Sequence, residues 1–317
     1  MVFKKLLGAL GVGGPSVDTV LANPNTRPGL TIEGQVHIVG GDHPVTIDQV
    51  ALGLVTRVEM EGHDTEYNAN VEFHRLAVAG SFPLAKGERK DIPFSFPVPW
   101  ETPITDVYGQ RLRGMTMGLR TELAVARAVD KGDLDPVHVH PLPAQERILD
   151  AFSNLGFRFK NADLERGRVY GVKQTLPFYQ EIEFWPAPQY GGNINEVELT
   201  FVADQQGLEV VLEFDKRGGF FTPGQDTITR FRVDHATVDQ TDWARVVDGW
   251  VRQATERYSS FRAQHGFQGG HGHGKHGRGP GAGTMIAGAG AGLLGGMVLG
   301  EAMDDMFGGD EGGDFGE

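Results

Sequence analysis

Two histidines one residue apart, His138 and His140, could ligate a metal ion. If this stretch is a strand, both imidazoles lie on the same face. Zinc uses such a pair only when a third and a fourth ligand complete the site, and the sequence nominates neither. We therefore favour a polar strand face that ends at Pro141, and His138 and His140 remain weak metal candidates.

A second histidine group lies in a glycine-rich segment near the C-terminus. Histidines in such flexible tracts can hold nickel, copper or zinc loosely. A solvated linker is the favoured interpretation of the segment, so these residues are also weak metal candidates. The group consists of His271, His273 and His276, with His265 nearby.

Three carboxylates, Asp130, Asp133 and Asp135, fall within six residues. A calcium loop would use such acids, but the EF-hand spacing and its distal glutamate are missing. The group therefore predicts a turn between strands. The serines lack a G-x-S-x-G elbow, and no acid–base pair stands out. We expect no catalytic residue, no cofactor and no enzymatic activity; a hydrolase or metal enzyme assembled from distant residues is the least favoured alternative.

Four glycines recur at every fourth position within 281–300, a stretch of twenty residues without a charge. On a helix they would form one smooth stripe, which permits close helix–helix approach, and the length just meets that of a membrane span. The high glycine content lowers both hydrophobicity and helix propensity. A low-complexity linker is favoured over self-association, and self-association over membrane insertion. The stripe residues are Gly288, Gly292, Gly296 and Gly300.

Composition divides the chain into a body and a tail. Glycine supplies 46 of the 317 residues, and 20 of these lie within 266–317. The absence of cysteine excludes disulfides, thiolate zinc sites and iron–sulfur clusters. It also suits a cytoplasmic location. The net charge of −13 argues against nucleic acid as a partner.

Alternating apolar and polar residues run from about residue 29 to 140. The alternation is clearest over 32–38, 50–60 and 119–127 and predicts half-buried strands. The prolines within 92–100 predict a strand at a sheet edge, because proline cannot donate to a ladder. No helical pattern separates these strands. An all-β sandwich is therefore favoured over a parallel α/β sheet.

Helical periodicity first appears at 144–155, where Ile148, Leu149, Phe152 and Leu155 share one face. Gly156 follows at the position of a C-terminal glycine cap. Strand patterns return over 157–160, 181–185, 196–203, 207–216 and 227–235. A second amphipathic helix is predicted over 242–261. Its apolar stripe consists of Trp243, Val246, Val247, Trp250, Val251, Ala254, Tyr258 and Phe261.

These patterns predict a mainly β protein with four segments. Residues 1–143 form an N-terminal sandwich, 144–155 a connecting helix, 156–264 a second sandwich with a terminal helix, and 265–317 a disordered glycine-rich tail. The first eleven residues fit a short amphipathic helix. We favour its packing on the body over contact with a membrane and over a secretion signal.

An ordered series of short motifs over about residues 1–260 resembles the bacterial sporulation-control protein family of the stage-zero M type, which is arrestin-like. The resemblance implies two arrestin-like β-sandwich domains in tandem and a cytoplasmic regulatory role in sporulation or differentiation. Each motif is weak alone, and their order and spacing make the resemblance specific. The motifs are PGLTIEG at 28–34, GG at 40–41, GSFPL at 80–84, IPFSF at 92–96, TEL at 121–123, VD at 129–130, DLDP at 133–136, PLP at 141–143 and LGF at 155–157.

The favoured function is a non-catalytic adaptor that binds a protein partner through sheet edges or a cleft between domains. The alternative is a membrane-associated organiser, held peripherally by the N-terminal segment or by the glycine stripe of the tail. The stripe also allows a homo-oligomer. The sequence does not name the partner.

Overall fold

The computed structural model describes residues 13–61, 66–190, 194, 196–214 and 228–265. The first half consists of strands and turns. Its strands are β1 (Ser16–Leu21), β2 (Asn25–Thr26), β3 (Thr31–Val39), β4 (Val45–Glu61), β5 (Glu66–Ala79), β6 (Phe82–Leu84), β7 (Arg89–Pro97), β8 (Asp106–Val107), β9 (Gln110–Arg111), β10 (Met117–Val125), β11 (Lys131–Pro136) and β12 (His138–Val139).

The second half mixes strands with helices. The mainly β class predicted from the alternation is confirmed by the elements of both halves. In chain order those of the second half are α1 (Pro143–Asn154), β13 (Arg158–Arg166), β14 (Phe178–Trp185), β15 (Val197–Ala203), β16 (Gly207–Phe214), β17 (Thr229–Asp234), a 3₁₀ helix (His235–Gln240) and α2 (Trp243–His265).

Two sheets enclose the core of the first half. One has the order β1-β3-β7, and the other places β5 and β10 on either side of β4, with β11 beyond β10. Alternate residues of β3, such as Val36 and Ile38, are buried in the same apolar cluster as Leu52 and Leu54 of β4. Strand β7 lies at the edge of its sheet, as its prolines predicted.

The described strands of the second half form one sheet that is continuous with the sheet of β4, and the predicted tandem arrangement of two sandwiches stays a prediction. The order of the described strands is β11-β10-β4-β13-β14-β15-β16-β17. The strands meet where Glu59 of β4 lies beside Glu165 of β13. Helices α1 and α2 cover the apolar face that a second sheet would cover in a sandwich: Phe152 stacks on Phe184 and Trp250 on Phe231.

The ends of α1 follow from its sequence. Pro143 occupies the first turn, and the side-chain oxygen of Gln145 accepts a hydrogen bond from the N–H of Leu142 at 2.8 Å. Gly156 has φ 90° and donates its N–H to the carbonyl of Ser153, which is the cap that the sequence predicted. Helix α2 buries part of the predicted stripe, with Val247, Val251 and Ala254 fully covered.

Of the acidic group, only Asp130 lies in the predicted turn between strands, whereas Asp133 and Asp135 lie on a strand. Residues Lys131–Pro136 form β11, which pairs antiparallel with β10. The stretch lacks apolar alternation, so its strand conformation comes from the ladder with β10 rather than from its own sequence.

The predicted N-terminal helix and the glycine-rich tail lie outside the described residues. Within the part of the chain that is described, none of the helices has the length and apolarity needed to cross a membrane.

Candidate functional site

The two histidines that were weak metal candidates, His138 and His140, contact different polar side chains. Nδ1 of His138 lies 3.2 Å from Oδ2 of Asp106, whereas Nε2 of His140 lies 2.9 Å from Oδ1 of Asn25. The two imidazoles thus have separate polar partners. Asp106 is buried and also accepts a hydrogen bond from the hydroxyl of Thr105 at 2.6 Å. Its contact with His138 connects the short strand β12 to β8.

The remaining sequence candidates cannot be placed. Both the histidine group of the tail and the glycine stripe lie outside the described residues. They are His271, His273, His276, Gly288, Gly292, Gly296 and Gly300.

A cluster of carboxylates that sequence analysis missed lies on the sheet of the second half. Oxygens of Asp163, Glu165 and Glu181 lie within 4.8 Å of one another, on the face turned away from α1 and α2. Hard divalent cations such as Ca²⁺ favour carboxylate oxygens, so this is the group among the described residues with the donors for one. The signal was present in the sequence, because acids alternate at 163 and 165 and again at 181 and 183.

Burial and mutual repulsion dominate the electrostatics of this acidic cluster. Burial, followed by the charges of Glu181, Glu183 and Glu165, raises the pKa of Asp163 to about 8. Burial and nearby glutamates also raise the pKa of Tyr179. The carboxylate cluster therefore holds a proton more tightly than exposed aspartates do.

A lysine closes one end of the acidic cluster. Nζ of Lys160 lies 2.8 Å from a carboxylate oxygen of Glu183, also pairs with Glu196, and sits 5.2 Å from the ring centroid of Trp185. Burial opposes the charge of this ammonium, but the hydrogen bonds to Glu183 and Glu196 outweigh it and raise the pKa of Lys160. This corner of the cluster is thus neutralised by the chain itself.

At the junction between the two halves, side chains of one half form hydrogen bonds with the backbone of the other. The carboxylate of Glu101 accepts hydrogen bonds from the N–H groups of Thr175 and Leu176 and from the Thr175 hydroxyl, all at 2.8–2.9 Å. Trp100 stacks on His235 with centroids 5.6 Å apart. The cavity beside these residues measures about 20 Å³, room for about one water. The predicted binding of a protein partner through a cleft between domains stays a prediction.

The two long outer strands of the first half differ in their capacity to accept another strand. Pro93 and Pro97 lie four residues apart on β7, and neither has an N–H that could pair with an added strand. Strand β5 contains no proline, spans fourteen residues and is paired, in the described part of the chain, with β4 alone. Its edge is the better surface for strand addition.

Comparison with known proteins agrees with this architecture. The family model described as SpoOM protein (Spo0M) matches residues 3–218. The sporulation-control protein Spo0M of Bacillus subtilis strain 168 is 36% identical over 216 residues, which cover 68% of this chain and 81% of that protein.

A solved structure gives the same result in three dimensions. The crystal structure of Spo0M from Bacillus subtilis superimposes with a TM-score of 0.69 at 32% identity, covering 76% of this chain and 99% of that one. The chain therefore belongs to the Spo0M family.

Proposed function

We propose that this protein is a non-catalytic regulator of sporulation or a related bacterial differentiation, and that it acts as an adaptor by binding another protein. The observation that carries the proposal is the similarity to the sporulation-control protein Spo0M, which extends over 81% of that protein. The predicted cytoplasmic location belongs to the same proposal.

The surface that we assign to the partner is the outer edge of β5, over residues 67–71. Here β5 keeps a regular register with β4, from Tyr67 opposite Met60 to Val71 opposite Thr56. An extended segment can add to such an edge by main-chain hydrogen bonds, while its side chains give specificity. Tyr67 is 54% exposed and offers an aromatic contact beside the edge.

Deleting the gene tests the regulatory role. We expect the deletion to change the number or timing of spores, and the full chain to restore the normal count. Normal sporulation in the deletion strain would contradict the regulatory role.

Proline substitutions at two adjacent positions test the edge. The N–H groups of neighbouring residues on a strand point in opposite directions, so Asn68→Pro and Ala69→Pro differ in which edge they affect. One of them removes a hydrogen bond to β4 and lowers the melting temperature; the other removes only an outward donor. We expect the variant that keeps the wild-type melting temperature to lose its partner in affinity capture and to fail in complementation. Full capture and complementation by that variant would refute the β5 edge.

A further inference from the structure

The two sheets of the first half approach each other at one seam without a strand ladder. Strand β1 runs beside β11, yet within the described ranges β1 pairs only with β3 and β11 only with β10. Thr19 makes the connection instead. Its N–H donates to Oδ2 of Asp133 at 2.6 Å, and its hydroxyl lies 2.6 Å from that of Thr121. The seam is thus held by a carboxylate that takes the place of a main-chain acceptor.

Two further carboxylates line the same seam. Asp18 precedes Thr19 on β1, and Asp135 lies two residues beyond Asp133 on β11, where its Oδ2 is buried without a hydrogen-bond partner. An oxygen in that position is costly when charged. Burial, then the charges of Asp133 and Asp18, raise the pKa of Asp135 to about 7.

Among the described residues, no basic side chain that would neutralise a charge on Asp135 comes from the neighbouring strands. Strand β10 places Leu119 opposite it. Strand β3 places His37 opposite Asp18, and Nδ1 of that histidine is already 2.7 Å from Asp91 on β7. A negative charge on Asp135 is therefore repelled by the carboxylates of Asp133 and Asp18.

We propose that the β1–β11 seam is a proton-controlled latch: it is closed while Asp135 is protonated, and loss of this proton puts three negative charges along the seam and releases Thr19 from Asp133. The latch goes beyond the adaptor role and does not depend on it, since it is a property of the chain alone.

The direction of the pH dependence follows from linkage. The closed seam binds the Asp135 proton more tightly than the open one, so the closed state is fully favoured below about pH 4. Opening then increases as the pH rises and levels off above about pH 7, where both states have lost the proton.

Amide hydrogen exchange of Thr19 in the full chain tests the latch. After correction for the intrinsic rate, we expect its protection factor to fall at least about tenfold between pH 5 and pH 7.5 in the wild type. In Asp135→Asn, which cannot ionise, protection should be equal at both pH values. Asp48→Asn, which removes an exposed carboxylate on β4, is the matched control and should behave as the wild type.

Two results would overturn the latch: wild-type protection that does not change with pH, or an Asp135→Asn variant that loses protection as the wild type does. If Asp135→Asn does not fold, the wild type still decides. The amide shift of Thr19 should then titrate with the midpoint of the Asp135 carboxyl carbon, and a Thr19 shift that does not follow that carbon refutes the proposal.

Discussion

The side-chain amide of Gln180 bonds both backbone groups of Ile104. Its Oε1 accepts from the Ile104 N–H at 3.0 Å, and its Nε2 donates to the Ile104 carbonyl at 2.8 Å. Both bonds are buried, and Gln180 belongs to β14 whereas Ile104 belongs to the loop of the first half. One side chain therefore supplies the pair of bonds that a neighbouring strand would supply.

Replacing this glutamine should weaken the junction of the two halves. Gln180→Leu leaves the N–H and the carbonyl of Ile104 buried without partners, and we expect a loss of roughly 2–4 kcal/mol in the free energy of unfolding. Urea unfolding measures it. Gln205→Leu, in an exposed hairpin loop, is the control and should change stability little. Equal effects of the two substitutions would show that the bonds to Ile104 contribute nothing.

A glycine contact joins the halves at a second point. Gly114 has φ 89°, and a Cβ there would lie 2.1 Å from the carbonyl oxygen of Ala162 on β13. Gly109 has φ 74° with open space around it. Both positions disfavour a side chain, at a cost of about 1–2 kcal/mol, and only Gly114 adds a clash.

We therefore expect Gly114→Ala to cost at least about 2 kcal/mol more than Gly109→Ala. Thermal unfolding of the two variants gives the comparison. If they melted at the same temperature, the close approach of Gly114 to β13 would be wrong.

The acidic cluster predicts a stability that falls with pH. The folded-state pKa of Asp163, about 8, lies above its ordinary value of 3.8. The stability due to this group is therefore complete below about pH 4 and is lost as the pH rises toward 8. Asp163→Asn should increase stability at pH 8 by roughly 1–3 kcal/mol relative to its effect at pH 4.

Urea unfolding at both pH values checks this prediction, and Asp239→Asn, an exposed carboxylate, serves as the control. If Asp163→Asn and Asp239→Asn had the same dependence of stability on pH, Asp163 would not hold a proton in the folded state.

The packing of α2 on the sheet gives a fourth prediction. Val251 is fully buried on the predicted stripe, and Val251→Ala should cost about 2 kcal/mol through lost contacts and a residual cavity. Arg257→Ala, on the exposed face of the same helix, should cost less than about 0.5 kcal/mol. Chemical unfolding of both variants measures the difference; a harmless Val251→Ala would mean that α2 does not stabilise the sheet.

Local patterns in the sequence predicted the elements whose own residues determine them. The alternation of β3 and β4, the cap at Gly156 and the stripe of α2 could all be recognised without a partner strand. Strand β11 could not be, because its acids and Pro136 resemble a turn until β10 pairs with them. Whether two local patterns share one sheet depends on contacts between residues far apart in sequence.

The acidic cluster shows the same limit at a candidate site. Acids at alternate positions of two strands were visible, but their convergence requires the register that places Asp163 opposite Glu181. The partners of His138 and His140 show the same limit. The spacing suggested one strand face, whereas two strands distant in sequence supply a different partner for each ring, Asp106 of β8 and Asn25 of β2.

Strand β4 also constrains how the chain acquires its structure during synthesis. Its neighbours β5, β10 and β13 leave the ribosome in that order, at increasing distance along the chain. Long-range pairings of this kind form slowly, because the entropy cost of closing the loop comes before the stabilising contacts are made. Until β13 is made, the last residues of β4 pair with β5 on one side and leave the other edge open next to Glu59. The nascent first half should therefore be prone to aggregation through this open edge, and a chaperone that shields strand edges should increase the yield of the full chain.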